Sequence, residues 1–128
     1  MSRIVLDASA LLAVLGREPG AEILTPHLLS AATVSTVNLA EVQSKLVREG
    51  ADPDEAWEEI LYPIREAAEF TGEQAKIAGS LITQTRALGL SLGDRACLAL
   101  GIALNASIYT TDRSWKSLRL GVRIHVVR

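Results

Sequence analysis

Residues 3–15 read RIVLDASALLAVL. RIVLD is apolar on both faces and predicts a short buried strand. ASALLAVLG, residues 8–16, predicts a helix, with Ser9 as a candidate cap and Gly16 as the stop. A single carboxylate, Asp7, stands at the joint. Either it caps the helix or it is one corner of a chemical site, and the rest of the chain has to decide.

Working outward, strands and helices alternate. ATVST (32–36) predicts a second strand that leads into the helix VNLAEVQSKLVREG (37–50), ended by Gly50. EPGAEILTPHLL (18–29) holds a short helix broken at its prolines, and DPDEAWEEIL (52–61) opens with the aspartate–proline pair of a helix start. AAEF (67–70) predicts a strand, and TGEQAKIAGSLITQTRALG (71–89) a long helix with a capping-box pattern from Thr71 to Gln74. SLGDRACLALGIALN (91–105) predicts an apolar helix whose small residues Ala96, Ala99, Gly101 and Ala103 allow close packing. ASIYTTD (106–112) and VRIHVV (122–127) are the last strands. The order predicts an α/β fold, a three-layer α/β/α sandwich with a mostly parallel sheet, as one domain over residues 1–128. The helices between residues 37 and 62 read as a flanking hairpin or an insertion.

Composition narrows the function. The chain is 48% hydrophobic and 22% charged, which excludes disorder. It has one Phe, two Trp and two Tyr, too few for stacking single-stranded bases on a row of rings. The net charge of −2 carries no general nucleic-acid signature. After Asp112, however, no acid follows, while Arg113, Lys116, Arg119, Arg123 and Arg128 do. That run is either a phosphate-holding edge or a solvated basic one. The lone Cys97 reads as a small buried residue. No apolar run is long enough for a membrane span, and Asp7 interrupts the N-terminal stretch before it can serve as a signal peptide, so a cytoplasmic protein is expected.

Four acids occupy comparable places. Asp7 ends the first strand, Glu41 sits early in the helix after ATVST, Asp94 is in the first turn of the helix after LGLS, and Asp112 ends SIYTTD. Parallel sheets collect ligand sites at the carboxyl ends of their strands, which places Asp7, Glu41 and Asp112 on one rim; Asp94, which follows another helix, joins them by a further assumption. The competing explanation is capping, worth about 0.5–2 kcal/mol per residue; Asn38 to Glu41 and Ser91 to Asp94 both have capping-box spacing. If the four converge, two carboxylates about 4 Å apart repel by about 4 kcal/mol at an effective dielectric near 20, so protons or cations must join them. Mg²⁺ or Mn²⁺ suits such oxygen donors. Zinc does not fit the sequence, because His27 and His125 have no ligand spacing with each other or with Cys97.

The segments VLDASALLAVL, VNLAEV, LSLGDRACLALGIAL and IYTTDRSW resemble, in order, the four motif regions of the PIN-domain ribonucleases, and among them the VapC-like toxins of toxin–antitoxin pairs. The resemblance spans nearly the whole chain. It implies a Mg²⁺- or Mn²⁺-dependent endoribonuclease with Asp7, Glu41, Asp94 and Asp112 as metal-binding residues, and Ser9 and Thr110 as supporting hydroxyls. It also implies homodimers and a small antitoxin partner. Ala8 departs from the family by standing where many relatives carry a hydroxyl. The reaction expected is hydrolysis of an RNA phosphodiester to a 5′-phosphate and a 3′-hydroxyl, with Arg95 and Arg113 steering phosphate or simply pairing with nearby acids. Leu39, Val42, Leu46, Trp57, Ile60 and Leu61 either fill the core or offer an apolar surface to the antitoxin.

Two other readings compete. An aspartyl-nucleophile phosphotransfer enzyme at Asp7 resembles the sequence less, since haloacid-dehalogenase-like phosphatases place a second aspartate where Ser9 stands, and a response-regulator receiver wants a lysine that is missing until Lys116. A non-catalytic PIN-like binding module has no use for four intact acids.

Overall fold

The computed structural model describes residues 2–128. Its sheet has five strands, β1 (Ile4–Leu6), β2 (Ala32–Ser35), β3 (Glu66–Ala68), β4 (Ser107–Thr110) and β5 (Ile124–Val126), in the order β3-β2-β1-β4-β5. Every pair is parallel. The chain starts in the middle, builds outward through β2 and β3, then crosses to the other side of β1 for β4 and β5. Strand order therefore reverses between β1 and β4, and a crevice opens there at the carboxyl ends of the strands.

The helices are α1 (Ala8–Gly16), α2 (Pro26–Leu29), α3 (Thr36–Arg48), α4 (Pro53–Leu61), α5 (Gly72–Ser80), α6 (Ile82–Thr85) and α7 (Leu92–Leu104), with 3₁₀ turns at Arg86–Leu88 and Arg113–Ser117. Two apolar clusters cover the two faces of the sheet. Ile4, Leu6 and Val34 pack with Leu11 of α1, Leu39 and Val42 of α3 and Ile60 of α4. Val5 and Ile108 pack with Cys97, Leu98 and Leu100 of α7 and with Trp115 and Leu118. The alternation of Ile4, Val5 and Leu6 between the faces is why RIVLD is apolar throughout. Each fully buried leucine or isoleucine contributes about 1.5–3 kcal/mol over an exposed one. Gly101 lets α7 lie flat on β4: a Cβ there would run into the Ile108 side chain. Of the other small residues of α7, Ala96 and Ala99 are buried and Ala103 is exposed.

Three local expectations change. The cap of α1 is Asp7, not Ser9: Asp7 Oδ1 accepts from Ala10 N at 2.8 Å. Asn38 does not cap α3; Ser35 does, accepting from Val37 N. The long helix over 71–89 is broken. It resolves into α5, α6 and a 3₁₀ turn, and Ser80 Oγ donates to Lys76 O at 2.7 Å and Thr85 Oγ1 to Leu81 O at 2.8 Å, back-bonds of the kind that bend a helix. The capping box from Ser91 to Asp94 is present in full. The apolar residues of α3 and α4 mostly fill the core: Leu39, Val42 and Ile60 are buried, Leu46 and Leu61 partly so, while Trp57 stays 39% exposed.

Candidate metal centre

Asp7 follows β1 directly and extends its ladder, its N–H reaching Tyr109 O at 3.2 Å. The side chain lies in the β1–β4 crevice and is only 4% exposed. Thr110 Oγ1 donates to Asp7 Oδ2 at 2.6 Å, and Ser9 Oγ lies 2.7 and 2.9 Å from the two carboxylate oxygens. Thr110 Oγ1 also accepts from Asp112 N at 3.0 Å, and Ser9 Oγ from Thr111 N at 3.0 Å. The two hydroxyls thus tie the turn after β4 to the carboxylate at the end of β1. Burial raises the Asp7 pKa from 3.8 to about 6, against the hydrogen bonds from Thr110, Ala10 and Ser9, which lower it; the field of Asp94 adds to the rise.

Asp94 reaches the same rim by topology. A helix that leads into a parallel strand runs antiparallel to it, so α7, which feeds β4, begins at the carboxyl edge of the sheet. Asp94 Oδ2 accepts from Ser91 N at 2.9 Å. Glu41 comes from the second turn of α3 and lies against the start of α7. Its Oε1 accepts from Asn38 Nδ2 at 2.9 Å, and the same nitrogen donates to Gly93 O at 3.0 Å. Burial pushes the Cys97 thiol in α7 well above its usual range, and the charges of Asp7, Asp94 and Glu41 push it the same way. Asp112 is adjacent but differently employed. Its Oδ1 accepts from Ser114 N at 2.9 Å and Ser114 Oγ at 2.8 Å, capping the 3₁₀ turn.

The basic residues point elsewhere than their sequence neighbours suggest. Arg95 donates from a terminal guanidinium nitrogen to Ala78 O at 2.9 Å, tying α7 to α5. Arg113 Nε donates to Arg128 O at 3.2 Å on the exposed C-terminal edge. Among the described residues, the ion pairs are Arg3–Glu66, Lys45–Glu49 and Arg128–Glu18, so none of the four acids has a cationic partner.

Among the same residues, no group of three or more His, Cys, Asp and Glu side chains is already arranged to hold a metal ion. The donors nonetheless fit a hard divalent cation chemically. They are carboxylate oxygens from three elements, uncompensated by any lysine or arginine, and one of them is buried in a state that resists ionisation. Gly93 and Asn38 are functional candidates beyond those the sequence motifs mark, Asn38 being marked there only by capping-box spacing. The available signal was the pairing of Asn38 with Glu41 three residues on, and a glycine in the first turn of a helix.

The PIN domain family model matches residues 4–120. The chain belongs to the PIN-domain family. Solved structures share this PIN domain's fold. The DNA-bound VapBC from Salmonella typhimurium superposes with a TM-score of 0.75 at 14% identity, covering 97% of both chains. VapBC2 from Rickettsia felis, bound to a DNA fragment from its promoter, gives 0.72 at 19%, covering 94% of this chain and 96% of that one. The VapBC-5 toxin–antitoxin system of Mycobacterium tuberculosis gives 0.62 at 18%, covering 100% and 99%. No curated protein matches the chain significantly. Among the described residues, no helix is long and apolar enough to cross a membrane.

Proposed function

We propose that this PIN domain is a divalent-metal-dependent endoribonuclease, the toxin of a toxin–antitoxin pair, with Mg²⁺ or Mn²⁺ held by Asp7, Glu41 and Asp94 and with Asp112 completing the acidic rim. The observation that carries the reading is Asp7, buried without a cationic partner at the strand-order reversal of a PIN fold and close enough to Asp94 for that charge to raise its pKa. A bound divalent cation supplies charge neutralisation on the phosphodiester and lowers the pKa of a water.

The chain's own residues supply the rest. Ser9 and Thr110 hold Asp7 in one orientation, and the capping box holds the start of α7. Arg113, on the exposed edge, contributes positive charge toward a phosphate backbone, whereas Arg95 is engaged in joining α5 to α7. The aspartyl-nucleophile alternative lacks its second acid: Ser9 stands two residues after Asp7 and hydrogen-bonds the carboxylate instead. Cys97 is fully buried with a raised pKa and is unsuited to be a nucleophile.

The partners in this reading are RNA, a second copy of the chain and a small antitoxin. Support for the antitoxin comes from the VapBC neighbours and from an open groove of about 710 Å³ near the ends of α1 and α4, lined by Val14, Leu15, Glu58 and Tyr62 among others. Tyr62 is 91% exposed there. The test is incubation of purified protein with mixed RNA, with and without Mg²⁺ or Mn²⁺, beside Asp7→Asn. Cleavage that needs the ion and disappears in the variant is expected; cleavage indifferent to chelator or to Asp7→Asn rejects the nuclease.

A further inference from the structure

We propose that Asn38 is a positioning residue which, together with the bare backbone of Gly93, fixes the Glu41 carboxylate over the first turn of α7 beside Asp94. The inference rests on the metal-centre reading and adds to it two residues that touch no ion.

Asn38 is 1% exposed and bridges two elements with one nitrogen: 2.9 Å to Glu41 Oε1 on its own helix and 3.0 Å to Gly93 O on α7. Both partners are pure acceptors, so the side chain must present its NH₂ to them. Its Oδ1 is left buried without a donor. An unmet buried acceptor costs stability, and asparagine is a poor residue for a helix interior. An apolar residue of the same branching, with no polar atom to leave unmet, would serve packing alone better. The amide is therefore retained for its two N–H groups.

Gly93 is the other half of the clip. A Cβ at this position would stand 2.5 Å from both Glu41 carboxylate oxygens and 2.6 Å from the carboxyl carbon. That is closer than real Cβ atoms come, so any side chain drives the Glu41 head away from α7. Two locally unfavourable choices on different helices thus meet at one carboxylate. Without them Glu41 is a flexible side chain on an exposed stretch of α3; with them its head is held to the turn that carries Asp94.

The decisive variant is Asn38→Leu, which removes the amide and the unmet acceptor at once. Mn²⁺ affinity, read from the free-ion electron paramagnetic resonance signal, is expected to fall about 10- to 100-fold, while the urea midpoint holds or rises. Gly93→Ala is expected to lower the affinity similarly. In the metal-free protein, the Asn38 side-chain amide resonances are expected to shift in Glu41→Ala and stay in place in Asp112→Ala. An Asn38→Leu variant that keeps native Mn²⁺ affinity and loses stability would make Asn38 a structural clip and overturn the proposal. Amide resonances indifferent to Glu41→Ala overturn it whatever the ion does. Mn²⁺ binding that survives Asp7→Asn refutes instead the metal centre itself.

Discussion

Thr110 Oγ1 donates to Asp7 Oδ2 at 2.6 Å across the β1–β4 crevice. With its lone pairs the same oxygen takes the Asp112 N–H at 3.0 Å, so one hydroxyl fixes both the first acid and the turn that presents the last. Thr110→Val keeps the shape and removes both bonds. Losing a hydrogen bond to a charged group is expected to cost about 1.5–3 kcal/mol at pH 7.5, read from urea unfolding, with RNA cleavage falling alongside. Native stability and activity in Thr110→Val would show that the hydroxyl is incidental.

Burial of Asp7 has a pH consequence. Its folded pKa of about 6 lies above the ordinary 3.8, so between these values the folded state holds more protons than the unfolded one. Its contribution is fully present below about pH 3.8 and is lost as pH rises through about 6. The loss is on the order of 3 kcal/mol. Asp7→Asn cannot ionise, so at pH 7.5 the metal-free variant is expected to be more stable than the native chain and at pH 4 nearly equal. Unfolding curves at the two pH values check this; a variant less stable at pH 7.5 contradicts it.

The two arginines beside the acids separate by assay. Arg113→Ala is expected to weaken RNA binding and reduce the salt dependence by about one counterion. Arg95→Ala removes the bond to Ala78 O and is expected to lower the unfolding midpoint instead. The reverse pattern would return Arg95 to the phosphate-steering role its sequence position suggests.

Gly101 and Ile108 form a tight pair between α7 and β4. Gly101→Ala is expected to cost about 1–3 kcal/mol through overpacking. Ile108→Ala, by deleting both the Cδ1 and the Cγ1 that a Cβ would meet, should recover part of that loss in the double variant. Strict additivity of the two changes would disprove the contact.

Much of this was legible in the sequence, for identifiable reasons. RIVLD and ATVST are short apolar runs ending in polar residues, which marks buried parallel strands, and Asp52–Pro53 marked a helix start. Asp94 looked detached only because the helix it opens follows another helix; the antiparallel run of α7 into β4 is what returns it to the rim. Asp7 posed a choice between cap and site, and it is both a cap through Oδ1 and a buried acid in the crevice. What sequence could not supply were the contacts between α3 and α7. The role of Asn38 depends on Gly93, 55 residues away, and no local periodicity reports such a pair. The break after Ser80 was hidden because no proline marks it; Gly79 and the back-bonding of Ser80 and Thr85 are the local features at that point.

The central claim is that Asp7, Glu41 and Asp94 act together on one divalent cation. Calorimetric titration of Mn²⁺ at pH 7.5 into the native chain and into Asp7→Asn, Glu41→Gln and Asp94→Asn tests it most directly. One binding event in the native protein, weakened at least about tenfold in each variant, is the predicted result. Binding untouched by all three substitutions, or reduced by only one of them, would contradict a shared site.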